Sequence, residues 1–251
     1  MLERRPLGRS GIQVSEVGIS VREGADADLL RRARSAGVDL FRLERAEMLP
    51  WLAEALGPAA VTVLAGTGAP PIGGAYVPGA PDAHLDLHAY APLTEAQGAL
   101  GPYRVLGGWP IGEAGKNGRP TRLDVARGVL ADKSTQAVGL TYSLAEQAAG
   151  LGLTREASGA GAGVIAFDVE RIPTGAFDFL VKPKRTLLQA ATLFVLANQY
   201  VTAAVVRVTT RKQLAEVAGI PDAEGLSVGE LERIIEMYIH RNDGGTCSGR
   251  H

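Results

Sequence analysis

The chain is poor in the residues that carry the more recognisable chemistries. It has one cysteine, Cys247, in 251 residues, which excludes an internal disulfide and leaves no second Cys for a zinc site. His240 and His251 flank it, and the segment reads as a frayed tail. There is no Gly-x-Ser-x-Gly elbow, no Gly-x-x-x-x-Gly-Lys-Ser/Thr loop and no His-Glu-x-x-His helix, so serine hydrolase, P-loop and zincin chemistries are set aside. Neither sign of charge dominates: 26 basic residues face 27 acidic ones, for a formal net charge of -1. A chain so balanced has no long-range field for phosphate backbones or anionic lipid, which excludes nucleic acid and membrane surface as leading partners. A long uninterrupted apolar run is also missing. The longest, residues 187–206, is broken by Gln189, Asn198 and Gln199 and reads as a buried helix turning into a strand. The amino terminus lacks the apolar core of a signal peptide, so a cytoplasmic location is expected.

What is present is an alternation of short β-branched runs with longer amphipathic ones, the pattern of βαβ units around a parallel sheet. The length is close to the roughly 250 residues of a single (β/α)8 barrel, and one domain over 1–251 is expected. Strands are predicted at 16–20, 38–43, 61–65, 85–90, 136–141, 164–169 and 203–208. Helical spacing covers 26–35, 48–56, 122–131, 144–151, 186–197 and 211–217, with a terminal helix over 228–238 after Ser227 and a flexible tail over 239–251. Seven strands are one short of a barrel. Either residues 104–106 supply the eighth, or the barrel is shortened or open, with an edge that a second subunit would cover in a homodimer. The Gly- and Pro-rich stretches 66–83 and 91–120 read as loops, and Gly159, Gly161 and Gly163 as a turn, since a dinucleotide loop joins a strand to a helix and these precede a strand.

Five segments in order, residues 5–19, 30–41, 136–147, 163–170 and 205–216, resemble the aldo-keto reductases, beginning with their amino-terminal hairpin and first barrel strand. The resemblance implies an α/β fold of the (β/α)8 TIM barrel type, an NADP(H) cofactor and a catalytic tetrad, and none of the four tetrad residues stands at its matching position. Arg42 stands where the family has an aspartate, no tyrosine follows before Pro50, Thr67 and Gly68 replace the lysine, and Ala91 stands near the histidine's place. The cofactor segments are altered too. Thr141 and Tyr142 stand where the resemblance implies a Ser-Asn pair for the nicotinamide amide, and Phe167 stands where an aromatic would stack on the ring. Arg207, Thr209, Thr210 and Arg211 remain near the implied adenosine-phosphate site. The cofactor assignment is therefore none or NADP(H).

Barrel enzymes place chemistry at the carboxyl ends of their strands. There the sequence offers Arg42, Glu44, His88, Tyr90, Tyr142, Asp168, Glu170 and Arg207. His84, Asp86, His88 and Tyr90 share one face of an ideal strand. A metal held by His84, Asp86 and His88 is conceivable in ligand type, but without a wider cluster no metal is expected. The leading expectation is a small polar, anionic metabolite bound by Arg42 and Arg207, with His88, Tyr90, Tyr142 or Asp168 as acid-base groups for a lyase, dehydratase, cyclase or isomerase step, and with Glu44 at the same rim. A divergent NADP(H)-dependent reductase and a non-catalytic binding or regulatory protein are the alternatives. Lysine is scarce beside arginine, a bias of GC-rich bacterial genomes, whose barrels of this kind often serve biosynthesis.

Overall fold

The computed structural model describes residues 1–22, 25–43, 48–56, 62–66, 85–92, 105–110, 122–131, 133 and 135–243, with 62–66, 85–92 and 105–110 described through their backbone. A hairpin opens the chain, β1 (Arg4–Pro6) pairing antiparallel with β2 (Gln13–Ser15). Eight further strands follow: β3 (Val17–Val21), β4 (Leu40–Leu43), β5 (Thr62–Gly66), β6 (Leu85–Pro92), β7 (Val105–Pro110), β8 (Thr135–Thr141), β9 (Gly163–Phe167) and β10 (Ala203–Arg207). They close into a barrel in the order β10-β3-β4-β5-β6-β7-β8-β9. The helices are α1 (Ala27–Ser35), α2 (Leu49–Leu56), α3 (Arg122–Ala131), α4 (Leu153–Gly159), α5 (Leu187–Leu196), α6 (Arg211–Ala218) and α7 (Val228–Asp243).

Several expectations are corrected by this arrangement. The eighth strand is β7, which starts within residues 104–106, the stretch offered for it, but runs on to Pro110 through residues read as a loop, and it closes the ring. The helix expected at 144–151 is a single 3-10 turn, Ala148–Leu151, and the α-helix of that connection is α4. Gly152, with φ 170, separates the two, and Glu156 and Ala157 carry the helical propensity that follows. The terminal helix runs to Asp243, beyond the 238 boundary, while Cys247 and the rest of the tail lie outside the described residues. The barrel is not all-parallel: β6 pairs antiparallel with both β5 and β7, while every other neighbouring pair in the ring is parallel. With β6 reversed between β5 and β7, the ring departs from the regular (β/α)8 plan at that strand.

Side chains alternate across each strand, and the two faces form two apolar cores. Leu40, Ala137, Ile165, Phe167, Ala203 and Val205 fill the barrel interior, with Leu7 and Val14 of the hairpin closing its floor. Val17, Ile19, Val21, Phe41, Leu43, Val138, Leu140, Val164 and Val206 point outward, into the core shared with the helices. The hairpin sits tightly: a Cβ on Gly8, whose φ is 54, would lie 2.4 Å from the Gln136 carbonyl oxygen and from the Gly163 nitrogen. Only glycine combines that backbone with so close an approach. α5 and α6 start at capping boxes, Thr186 with Gln189 and Thr210 with Gln213, which fix where each helix begins.

Candidate active site at the barrel mouth

The inward-facing positions at the carboxyl ends of the strands follow from the register. Arg207 of β10 pairs with Ser20 of β3, and Ser20 pairs with Arg42 of β4. Across the ring, Thr141 of β8 pairs with Phe167 of β9. The parity of these strands that puts Leu40, Ala137, Ile165 and Val205 inside also puts Arg42, Thr141, Phe167 and Arg207 inside, nearer the mouth. A polar rim therefore tops an apolar barrel. Ser20 belongs to it and is 6% exposed. Sequence reading passed over this serine. The available signal was its parity, since it alternates with the outward Val17, Ile19 and Val21.

Arg42 reaches across the mouth. Its guanidinium carbon lies 5.0 Å from the centre of the Phe167 ring, although β3 and β10 separate the two strands. On the way its Nη1 comes within 3.4 Å of the Ser20 hydroxyl. A cation over an aromatic face contributes about 0.5–2 kcal/mol, more as water is excluded.

β9 ends in a left-handed residue, Asp168, with φ 60. Aspartate tolerates this conformation better than most residues because its short polar side chain bonds locally. Here it turns the carboxylate back over the barrel, where Oδ2 accepts a 3.5 Å hydrogen bond from the Thr141 hydroxyl and lies 3.9 Å from Arg171 Nη1. The next acid, Glu170, serves Arg207: its Oε1 is 3.5 Å from Arg207 Nε, and its Oε2 accepts a hydrogen bond of 3.4 Å from the Arg207 backbone amide. Arg207 Nε itself is buried and makes no hydrogen bond.

Other sequence candidates are placed elsewhere. Tyr142 faces outward: it is 6% exposed, its ring lies 5.5 Å from that of Phe194 on α5, and its hydroxyl bonds Asn198. Burial raises its pKa above the usual 10, the Asn198 hydrogen bond opposing in part. It packs behind the sheet and is removed from the acid-base set. His88 and Tyr90 lie on β6, in register with Gly66 and Leu64. Because β6 is reversed, these residues do not come from a carboxyl-terminal strand end, yet the register carries Tyr90 onto Leu64, the partner of Arg42, and His88 onto Gly66 at the carboxyl end of β5. Their side chains, and Glu44, lie outside the described residues, as do His84 and the side chain of Asp86. Among the described residues no group of three His, Cys, Asp or Glu side chains gathers for a metal.

The residues expected to grip a cofactor phosphate are engaged within the protein. Thr210 accepts a hydrogen bond of 3.2 Å from the Gln213 amide, and the Thr209 hydroxyl and amide both donate to Gln213 Oε1. Arg211 pairs with Asp28 on α1 at 3.1 Å, tying the two helices together.

No family model matches the chain, and none of the curated proteins does. Solved structures do match. An aldo-keto reductase from Klebsiella pneumoniae in complex with NADPH superposes with a TM-score of 0.62 over 95% of this chain and 96% of its own, at 13% identity. The holo form of an aldo-keto reductase from Bacillus halodurans superposes with a TM-score of 0.60 over 94% of this chain and 96% of its own, at 12% identity. The fold is that of the aldo-keto reductases. At such identities the likeness covers the aldo-keto reductase scaffold, hairpin floor and barrel together, and leaves the chemistry to the residues of the mouth. Among the described residues no helix is long and apolar enough to cross a membrane.

Proposed function

We propose that this protein is an enzyme of the aldo-keto reductase family repurposed for acid-base chemistry on a small anionic metabolite, without a bound hydride carrier. The observation that carries the reading is the Arg42 guanidinium lying over Phe167. In the family resemblance this is the ring that would receive a nicotinamide, and here one of its faces is taken by a cation of the protein's own. The rest of the cofactor track fits the dinucleotide poorly. Asp168 and Glu170 would confront its pyrophosphate, and Arg207 and Arg211 already have carboxylate partners in Glu170 and Asp28. No step is therefore routed through a nicotinamide.

In this reading Arg42 holds the anionic group of the substrate, the apolar layer of Leu40, Ile165 and Val205 takes its carbon skeleton, and Asp168 moves the proton. The Asp168 carboxylate is aimed by its left-handed backbone and by Thr141, which is the preorganisation that an acid-base group needs. Proton removal by Asp168 and return of the proton to the neighbouring atom, or to a departing oxygen, gives an isomerase or a dehydratase.

A divergent NADP(H)-dependent reductase is the second reading, favoured by the NADPH complex and the holo form among the structural neighbours. Titration of the purified protein with NADPH, followed by cofactor fluorescence and calorimetry, decides between them. Absence of saturable binding at millimolar NADPH is the expected result. Micromolar binding would overturn the non-redox reading.

A further inference from the structure

We propose that the floor of the barrel carries a second ligand site, for an elongated organic anion of the nucleoside monophosphate type, with a planar ring at one end and an acidic group at the other. A cavity of about 430 Å³ opens there, within the roughly 300–1,000 Å³ of small-molecule sites. Three segments wall it: the hairpin, the turn from α4 into β9, and residues 199–202 ahead of β10. The cavity meets β9 where that strand begins, at Gly163, whereas the mouth lies where it ends, at Phe167. The strand between them is about 13 Å long, so the two sites are separate.

Two observations carry the proposal. The first is charge. Twelve residues line the cavity, all of them described; two are arginines and none is acidic. Arg5 is already matched, its Nη2 lying 3.0 Å from Glu16 and 3.4 Å from Glu3. Arg9 is not. Its Nη2 donates to the carbonyl oxygens of Lys133 and Thr135, and among the described residues no carboxylate pairs with it and nothing bonds its Nε or Nη1. A guanidinium anchored at one nitrogen, with its charge unmatched and further donors to offer, favours an anion. The end of α4 does not oppose it with bare acceptors, because the carbonyls of Glu156, Ala157 and Ser158 are taken by the amides of Ala160, Ala162 and Gly161.

The second observation is the layout. Arg9 is tied to the start of β8 through Thr135, Tyr200 stands just before β10, and β9 lies between those two strands. Two strand spacings set the ends of the cavity about 10 Å apart. At the far end the half-buried Tyr200 ring has no aromatic or cationic partner among the described residues, and neither its hydroxyl nor the Gln199 side-chain amide bonds any of them. A flat ring with an amide beside it suits a planar ring system with polar edges. A nucleoside monophosphate has this chemistry at this separation, a stacking base and a phosphate held apart by a sugar.

The test uses wild-type protein and three probes, AMP, adenosine and inorganic phosphate, with binding measured by calorimetry and by the shift in melting temperature at constant ionic strength. AMP is expected to bind saturably, and adenosine and phosphate, each carrying one end alone, at least tenfold more weakly. Arg9→Gln and Tyr200→Ala are each expected to weaken AMP at least fivefold, while Arg207→Ala, at the opposite rim, leaves it unchanged. No saturable binding of AMP overturns the proposal, as does adenosine or phosphate binding as tightly as AMP. Full affinity in both floor variants, or its loss in Arg207→Ala, overturns it too, because the nucleotide then sits elsewhere. The comparison of probes needs no variant, so misfolding of a mutant does not rescue the idea. Failure here leaves the reading of the mouth as it stands, since that reading is decided by NADPH.

Discussion

Asp168 is the residue in which local backbone and proposed chemistry meet. Its φ of 60 is a conformation that glycine takes without cost. Asp168→Gly should therefore stay within about 1 kcal/mol of the parent in stability, since left-handed strain of that order is relieved as the Thr141 contact is lost. Asp168→Asn keeps the shape and removes the base. Once a turnover assay exists, both variants should lower kcat by roughly 10²- to 10⁴-fold, the span typical of a positioned acid-base group. Retained turnover in Asp168→Asn would remove the residue from the chemistry. Tyr142 makes the opposite case. Tyr142→Phe should leave turnover intact and cost about 0.5–1.5 kcal/mol through the lost bond to Asn198. Its sign with pH follows from burial, which raises the folded-state pKa above 10. The stabilisation that goes with the neutral phenol is complete below pH 10 and is lost as pH rises through the folded value. Melting curves between pH 8 and 11 should show a shallower alkaline decline in Tyr142→Phe than in the parent. The two residues also explain why one was easier to place than the other. Thr141 and Tyr142 looked equivalent as strand-end polar residues, but alternation turns one into the mouth and the next out of it, so an offset of one residue reverses the assignment.

At the scale of elements, the firmest polar anchor lies away from the mouth, where the segment before α5 meets the start of α7. Arg185 has a fully buried side chain, bonds the carbonyl oxygens of Leu180, Glu224 and Gly225, and pairs with Glu230 at 2.5 Å. Lys182 adds a second cation 3.3 Å from Glu230. Burial alone would raise the Glu230 carboxyl. Hydrogen bonds from Arg185, Lys182 and Ser227 outweigh it and hold the group at about 2, against an ordinary 4.5. A depressed carboxylate contributes its stability fully above the unfolded value and loses it as pH falls through the folded one. The protein should therefore lose stability between pH 4.5 and 2, and Glu230→Gln should flatten that slope in acid denaturation. Arg185→Met takes the principal partner from Glu230, whose carboxylate is only slightly exposed, and leaves it Lys182 and Ser227, a change that costs about 3 kcal/mol, the low end for a broken buried pair. In a chain of this size that lowers the melting temperature by roughly 10 °C, measurable by calorimetry. A drop of 2 °C or less would mean that water replaces the pair.

For the whole molecule, the sequence disclosed more of the architecture than of its direction. Six of the seven expected strands were visible through their β-branched residues and β6 through its alternation, and the helices, α4 apart, because their apolar faces repeat. The eighth, Val-Leu-Gly-Gly-Trp-Pro in β7, showed only at its start, in residues 104–106, because two glycines and a proline weaken the strand pattern beyond Leu106. The reversal of β6 had no signature at all, because alternation reads the same in both directions. Only pairing reveals it, through Gly66 against His88 and Thr62 against Pro92. That reversal has a bearing on how freely the chain can be re-engineered. In an all-parallel ring every connection returns from one rim to the other. Here β5 ends and β6 begins at the same rim, so residues 67–84 join two neighbours whose ends the barrel already holds side by side. The entropy of closing such a connection grows by only about 0.6 kcal/mol per doubling of its length. Doubling it with a Gly-Ser insert, or cutting it to make new termini, should leave the barrel folded with a melting temperature within a few degrees of the parent, whereas the same cut between β9 and β10 should not. The reversed strand thus marks the place where the barrel can be opened, extended or fused to another protein at least cost.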